Sequence, residues 1–120
     1  MNSAELKART KPFALRAMKL VRVLPRTAVG RAIGGQLVRS GTSVGANYRA
    51  ACQARSKAEF SARLGTVAEE ADETCFWLEL IIEGELLAAK RVAALLEESN
   101  ALTDIFTSGV RTLKLGRNRQ

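Results

Sequence analysis

Histidine is absent from this chain of 120 residues. Its absence removes together the commonest general base and the commonest metal ligand, so no Ser/His or Cys/His nucleophile can be built. Cysteine is scarce as well. Cys52 and Cys75 are too few for a disulfide framework and read as buried thiols packing like small apolar side chains. Aromatic residues make up only 5% of the chain, while Ala and Leu are plentiful, a balance that suits helices. No apolar run approaches the roughly 20 residues needed to cross a bilayer. The first residues, Met1 to Glu5, lack the charged-then-apolar order of a signal peptide, so a cytoplasmic location is expected, with no membrane partner. Gly30-Arg-Ala-Ile-Gly34-Gly35 is not a phosphate loop, since it follows no strand and lacks the Gly-Lys-Ser/Thr ending. Glu69, Glu70, Asp72 and Glu73 cluster, but a di-metal bundle wants Glu-x-x-His. They read as a solvated face or as partners for arginines. No catalytic residue, cofactor or metal ligand is assigned, and the chain is read as non-enzymatic.

What is present is ordinary in amount and uneven in placement. Apolar residues make up 47% and charged residues 26%, enough for one soluble domain with a single core. The net charge is +7. Residues 1–65 hold 13 Lys/Arg against 2 Asp/Glu, a balance of +11, while residues 66–120 hold 6 against 10, a balance of −4. The basic half could attract nucleic acid, or pair with the acidic half.

Residues 56–83 organise the rest. Phe60, Leu64, Val67, Ala71, Cys75, Leu78 and Ile82 recur in steps of three and four, which places them on one side of a helix. Ser56-Lys-Ala-Glu59 reads as a capping box and Gly84 as the C-cap. A first helix is predicted over about 12–24, with Thr10 as N-cap, Pro12 in its first turn, and residues 1–11 frayed. Pro25 ends it. A second helix spans about 27–54. It carries five glycines, each costing about 1 kcal/mol relative to alanine, so it either has strong tertiary support or breaks at Gly34-Gly35. Ile33, Leu37, Ser40, Val44, Tyr48 and Ala51 share an arc of about 80°, and Gly30, Gly34, Gly41 and Gly45 share an adjacent arc of about 60°. The glycines therefore make a smooth strip on which a neighbouring helix can sit closely. A fourth helix is predicted over about 88–108, stopped by Gly109, with a mobile basic tail over 110–120 that holds Lys114, Arg117 and Arg119.

Two helices have more than one face to hide. Opposite the core stripe of the third lie Phe76 and Leu80, in line with Glu69 and Glu73, with Trp77 between the flanks. The far side of the second carries Arg39, Thr42, Ser43, Ala46 and Ala50, small for an exposed helix. A four-helix bundle buries one stripe per helix, so these faces point to a subunit interface of Arg39, Ser43, Ala46, Glu69, Glu73, Phe76 and Leu80. Arg39 is expected to pair with Glu69 or Glu73 of another copy. Ser40 and Asn47 are read as core hydrogen-bonding groups that set register.

Gln36-Leu-Val-Arg-Ser-Gly-Thr-Ser-Val-Gly-Ala-Asn-Tyr-Arg-Ala-Ala51, then Ser56 to Phe60, then Glu69 to Glu79 with its Trp77-Leu-Glu, resembles the bacterial four-helix-bundle family of proteins encoded in 23S rRNA intervening sequences. The resemblance covers residues 12–88. It implies an up-down-up-down, left-handed bundle assembling into a ring-like homopentamer. One branch of that family serves as an accessory to the reverse transcriptase of diversity-generating retroelements and binds nucleic acid. Where that family usually has Glu, this chain has Ala50, which deprives Arg39 of a nearby carboxylate. The combined expectation is an oligomer showing RNA or DNA a basic surface of Arg16, Lys19, Arg22, Arg26, Arg31, Arg39 and Arg49. The rival is a protein-interaction scaffold with no nucleic-acid role.

Overall fold

The computed structural model describes residues 1–118. It consists of four helices, with no strand among the described residues: α1 (Ser3–Arg22), α2 (Ala28–Ala51), α3 (Lys57–Glu83) and α4 (Ala89–Asn118). Short connections oblige successive helices to run antiparallel. The registers agree. Ala17 of α1 faces Gly41 of α2, and Thr10 faces Gly45. Ser40 of α2 meets Thr74 of α3. Cys75 of α3 meets Ser99 of α4, and Leu64 meets Gly109. Arg9 of α1 reaches Glu98 of α4 and closes the square, although this seam is the thinnest of the four. The result is an up-down-up-down bundle with extents of 52 × 23 × 22 Å.

Side-chain caps start the first three helices. Asn2 Oδ1 accepts from the Glu5 amide at 2.8 Å, Thr27 Oγ1 from Gly30 at 3.0 Å, and Ser56 Oγ from Glu59 at 3.0 Å. Such a cap contributes about 1 kcal/mol. At α3 the box is shifted by one residue, because the Glu59 carboxylate accepts from the Arg55 amide rather than that of Ser56. The left-handed residue after α3 is Glu85, with φ 58°, while Gly84 keeps a negative φ.

The core runs along the bundle axis through Phe13 and Ala17, Leu37 and Val44, Val67 and Leu78, and Leu102 and Phe106, with Ile81 rather than Ile82 fully buried on α3. α2 passes through Gly34-Gly35 without a break. Its glycine strip is the seat of α1. A Cβ at Gly34 would meet Val21 and Leu24 at 3.2 Å, and one at Gly41 would come within 2.8 Å of the Ala17 Cβ.

Both outer helices are longer than their periodicity indicates. α1 begins at Ser3, so residues 3–11 are ordered and Thr10 is no cap. Thr10 is buried, and its hydroxyl donates to the Leu6 carbonyl at 2.9 Å. Pro12 lies well inside the helix. Both it and Ala8, whose carbonyl it leaves without an amide donor, are exposed, so the break in the ladder falls on the solvent side of the helix. α4 continues through Gly109 to Asn118. A Cβ at Gly109 would lie 3.1 Å from Leu64 Cδ2, so this glycine admits a close contact instead of ending the helix. Lys114 and Arg117 are therefore helical rather than in a mobile tail, and Arg119 lies outside the described residues. Cys75 packs in the core as expected, and Cys52 packs against it only partly buried. Cys75 is buried but donates toward Ser99 Oγ at 3.1 Å, and Cys52 is half-buried near one end.

Candidate interaction surfaces

Two surfaces stand out, and they differ in chemistry. The first is the outer face of α2 and α3. Phe76 is 50% exposed, and Trp77 and Leu80 are half-buried beside it. The Phe76 and Trp77 rings meet edge to face, with centroids 5.0 Å apart. Trp77 Nε1 donates to Glu73 Oε2 at 3.0 Å, which fixes the indole along the α2 side of α3. Near it, α2 presents Ala32 and Gly35, and farther along the same face Ala46, all exposed and all small. Small side chains on one helix and broad rings on the next leave a shallow apolar surface that the single chain does not cover.

Arg39 crosses this face within one chain. Its guanidinium donates to Glu70 Oε2 at 3.1 Å and to Glu73, and its Nε donates to Gln36 at 3.1 Å. Within its own chain Arg39 is therefore tied to Glu70 and Glu73 rather than to Glu69. Glu70 and Glu73 thus supply Arg39 with carboxylates from α3, although position 50 supplies none. Arg39 and Glu73 both remain partly exposed, so the pair contributes modestly to stability, about 0–1 kcal/mol.

The polar residues beneath this face divide. Ser40 and Thr74 are fully buried and share a hydroxyl–hydroxyl hydrogen bond of 2.9 Å across the α2–α3 seam. Ser43 and Asn47 bond only within α2, to the Ser40 and Ser43 carbonyls at 2.8 and 2.9 Å. Asn47 thus does not reach across the core as the sequence suggested. The pattern missed a second polar seam, between α3 and α4. There Ser99 donates to the Ala71 carbonyl at 3.0 Å, and Cys75 is within reach of Ser99, Asn100 and Thr103. The recurrence of Ser99 and Thr103 four residues apart was its only signal.

The second surface is the end of the bundle where α1 passes into α2. Arg22, Arg26 and Arg31 line a hollow there with Pro25, Gly30 and Gly34. Arg31 also donates to the Arg26 carbonyl at 3.1 Å, which holds the loop against the start of α2. Arg16 and Lys19 continue the positive surface down α1 and are joined by Arg91 of α4. Arg49 is exposed near the opposite end of α2, apart from this group. Among the described residues, Arg16, Lys19, Arg22, Arg26, Arg31 and Arg49 take part in no ion pair, whereas Arg39 does.

The titrations that shift belong to structural contacts. Arg9 donates twice to the Glu98 carboxylate, at 2.8 and 2.7 Å, and these bonds hold the Glu98 carboxyl below its ordinary value while raising the guanidinium. Burial, with help from the Cys52 thiol, pushes the Tyr48 phenol up to about 12. Among the described residues no group of three His, Cys, Asp or Glu could hold a metal ion. No described helix is long and apolar enough to cross a membrane.

Fold and surfaces together define an all-α, antiparallel four-helix protein whose outward chemistry is one apolar face and one cationic end. The chain belongs to the 23S rRNA-intervening sequence protein family, which it matches over residues 3–108. A crystal structure of a protein of unknown function from the S23 ribosomal protein family of Bacteroides thetaiotaomicron is similar, with 32% identity and a TM-score of 0.84. The match covers 92% of this chain and 99% of that one. Among curated proteins, none matches.

Proposed function

We propose that this protein is a non-enzymatic, self-associating bundle, a pentamer by resemblance, that binds nucleic-acid phosphates through its cationic end. The observation that carries the reading is the unequal use of its arginines. Arg9 and Arg39 of the basic half are paired with carboxylates of the acidic half. Arg16, Lys19, Arg22, Arg26 and Arg31 have no such partner among the described residues and are all exposed, around one end and the adjoining flank. Neutralisation between the two halves, which a pure protein scaffold would favour, therefore stops short of this end. Guanidinium groups suit phosphate because their planar fork matches two of its oxygens. Few aromatic rings are exposed beside them, so contacts would go to the backbone and be tolerant of sequence. Self-association multiplies the effect, since each copy brings a weak cationic end and several held together bind with avidity.

The test is fluorescence anisotropy with unrelated duplex and single-stranded probes across a salt series. Five phosphate contacts on a duplex predict a slope of log affinity on log salt of about −4.5. Replacing Arg22, Arg26 and Arg31 together by Gln should reduce that slope by about three and weaken all probes alike. Absence of binding at low salt rejects the nucleic-acid reading and leaves the protein scaffold.

A further inference from the structure

The seam between α1 and α4 opens over part of its length into a cleft of ≈ 330 Å³. Leu20, Val23, Ala94 and Leu95 form its apolar wall, and Arg16, Lys19 and Arg91 complete the lining. Elsewhere in the seam Arg9 is held by Glu98 through two hydrogen bonds. The three cations of the cleft are exposed and form no ion pair among the described residues, although the Arg16 charge is felt by Glu98 farther along the seam. Like charges around a low-polarity trough reinforce each other and concentrate an anion there. A bare inorganic anion would satisfy those charges but leave the wall wet. A neutral hydrocarbon would cover the wall but leave the cations unpaired. One class of ligand answers both halves of the lining.

We propose that this cleft binds a single-chain amphipathic anion, a carboxylate or phosphate monoester on a hydrocarbon tail. The tail lies along Leu20, Val23 and Leu95, and the head is met by Arg16, Lys19 and Arg91. The volume is at the small end of ligand pockets, which suits one short chain and excludes a two-tailed lipid. Because α1 and α4 share the thinnest contact in the bundle, the seam can part to admit the tail with little loss of packing. This site shares Arg16 and Lys19 with the nucleic-acid reading but is distinguished from it by Arg91 and the apolar wall, and it makes no use of Arg22, Arg26 or Arg31.

Isothermal titration of the full chain with decanoate and with decyl phosphate, both below micelle formation, tests it. Inorganic phosphate supplies the head alone, decanol the tail alone, and decyltrimethylammonium the tail with opposite charge. Saturable binding of the anionic chains, at one per protein chain, is expected, with all three controls at least about tenfold weaker, and preference between the two anions identifies the head. Paired replacement of Arg16 and Arg91 by Gln should weaken the anionic chains about tenfold or more, as loss of charge-assisted hydrogen bonds does. Ala94→Phe fills the trough from an exposed position and should abolish binding with helical circular dichroism unchanged. Equal binding of anionic and cationic chains overturns the proposal, as does inorganic phosphate binding as tightly as decyl phosphate. Undiminished decanoate binding by Ala94→Phe overturns it too. A drop in light-scattering mass for that variant would instead assign the cleft to contact between copies, and the ligand site would be withdrawn.

Discussion

A Cβ on Gly41 would sit 2.8 Å from the Cβ of Ala17, closer than two such carbons approach, and both residues are fully enclosed in the α1–α2 seam. Helix propensity favours Gly41→Ala by about 1 kcal/mol. Overpacking a seam opposes it by about 1–3 kcal/mol. The clash should win, so urea denaturation of Gly41→Ala should show a loss of about 1 kcal/mol, which adding Ala17→Gly restores. Gly35 is the control on the same helix. Nothing lies within 4 Å of a Cβ there, so Gly35→Ala should stabilise by about 1 kcal/mol. Glu98 makes a residue-scale prediction about pH. Its hydrogen bonds from Arg9 lower its value first of all, burial opposes them, and the charges of Arg9 and Arg16 lower it further. A carboxyl whose folded value lies below its unfolded one contributes stability that is complete above the unfolded value and is lost as pH falls through the folded value. The difference in urea midpoint between the wild type and Glu98→Gln should be largest near neutrality and shrink toward zero in acid. A difference that is constant with pH would remove Glu98 from the account.

At the scale of whole elements, periodicity located every helix and misjudged the ends of two. α3 was legible because its apolar steps are unbroken and Ser56 caps it. The glycine strip of α2 was legible as a contact surface, since four small positions fell in one arc, although the sequence could not say that α1 would occupy it. The errors at α1 and α4 share a cause. Pro12 and Gly109 are helix breakers in isolation, and tertiary or solvent context overrides them here: Pro12 and Ala8 lie on the exposed side of α1, and Gly109 sits under Leu64. The last turns of α4 are therefore part of the packed structure. Val110 and Leu113 are partly buried against the core. Ending the chain after Ser108 removes both, and at roughly half of full burial each the loss should be about 1–3 kcal/mol. Thermal melting of that truncation checks it. An unchanged midpoint would mean that the extension merely follows the helix and contributes nothing.

For the whole molecule, the surplus apolar face was visible in the sequence, but the use of Arg39 was not. A helical wheel shows that Phe76 and Leu80 lie opposite the core stripe, and they do sit on the outer face. It cannot show which carboxylate an arginine meets, because that depends on how far α2 slides along α3. The register that joins Ser40 to Thr74 also delivers Arg39 to Glu70 and Glu73. Any association through this face must then rest on its apolar part, with the Arg39 pairs already satisfied inside each copy. This separates two variants that looked equivalent in the sequence. Phe76→Glu puts a charge into the half-exposed ring position, where desolvation in an interface would cost several kcal/mol, and light scattering should show the mass fall to that of one chain. Arg39→Gln alters a pair that is internal to each chain, so the mass should be retained while the urea midpoint falls slightly. Leu15→Glu, on the 55% exposed outer face of α1, should change neither. A wild-type chain already monomeric at working concentrations would remove self-association. The cationic end would then have to bind nucleic acid as a single copy, with the weak affinity of five contacts.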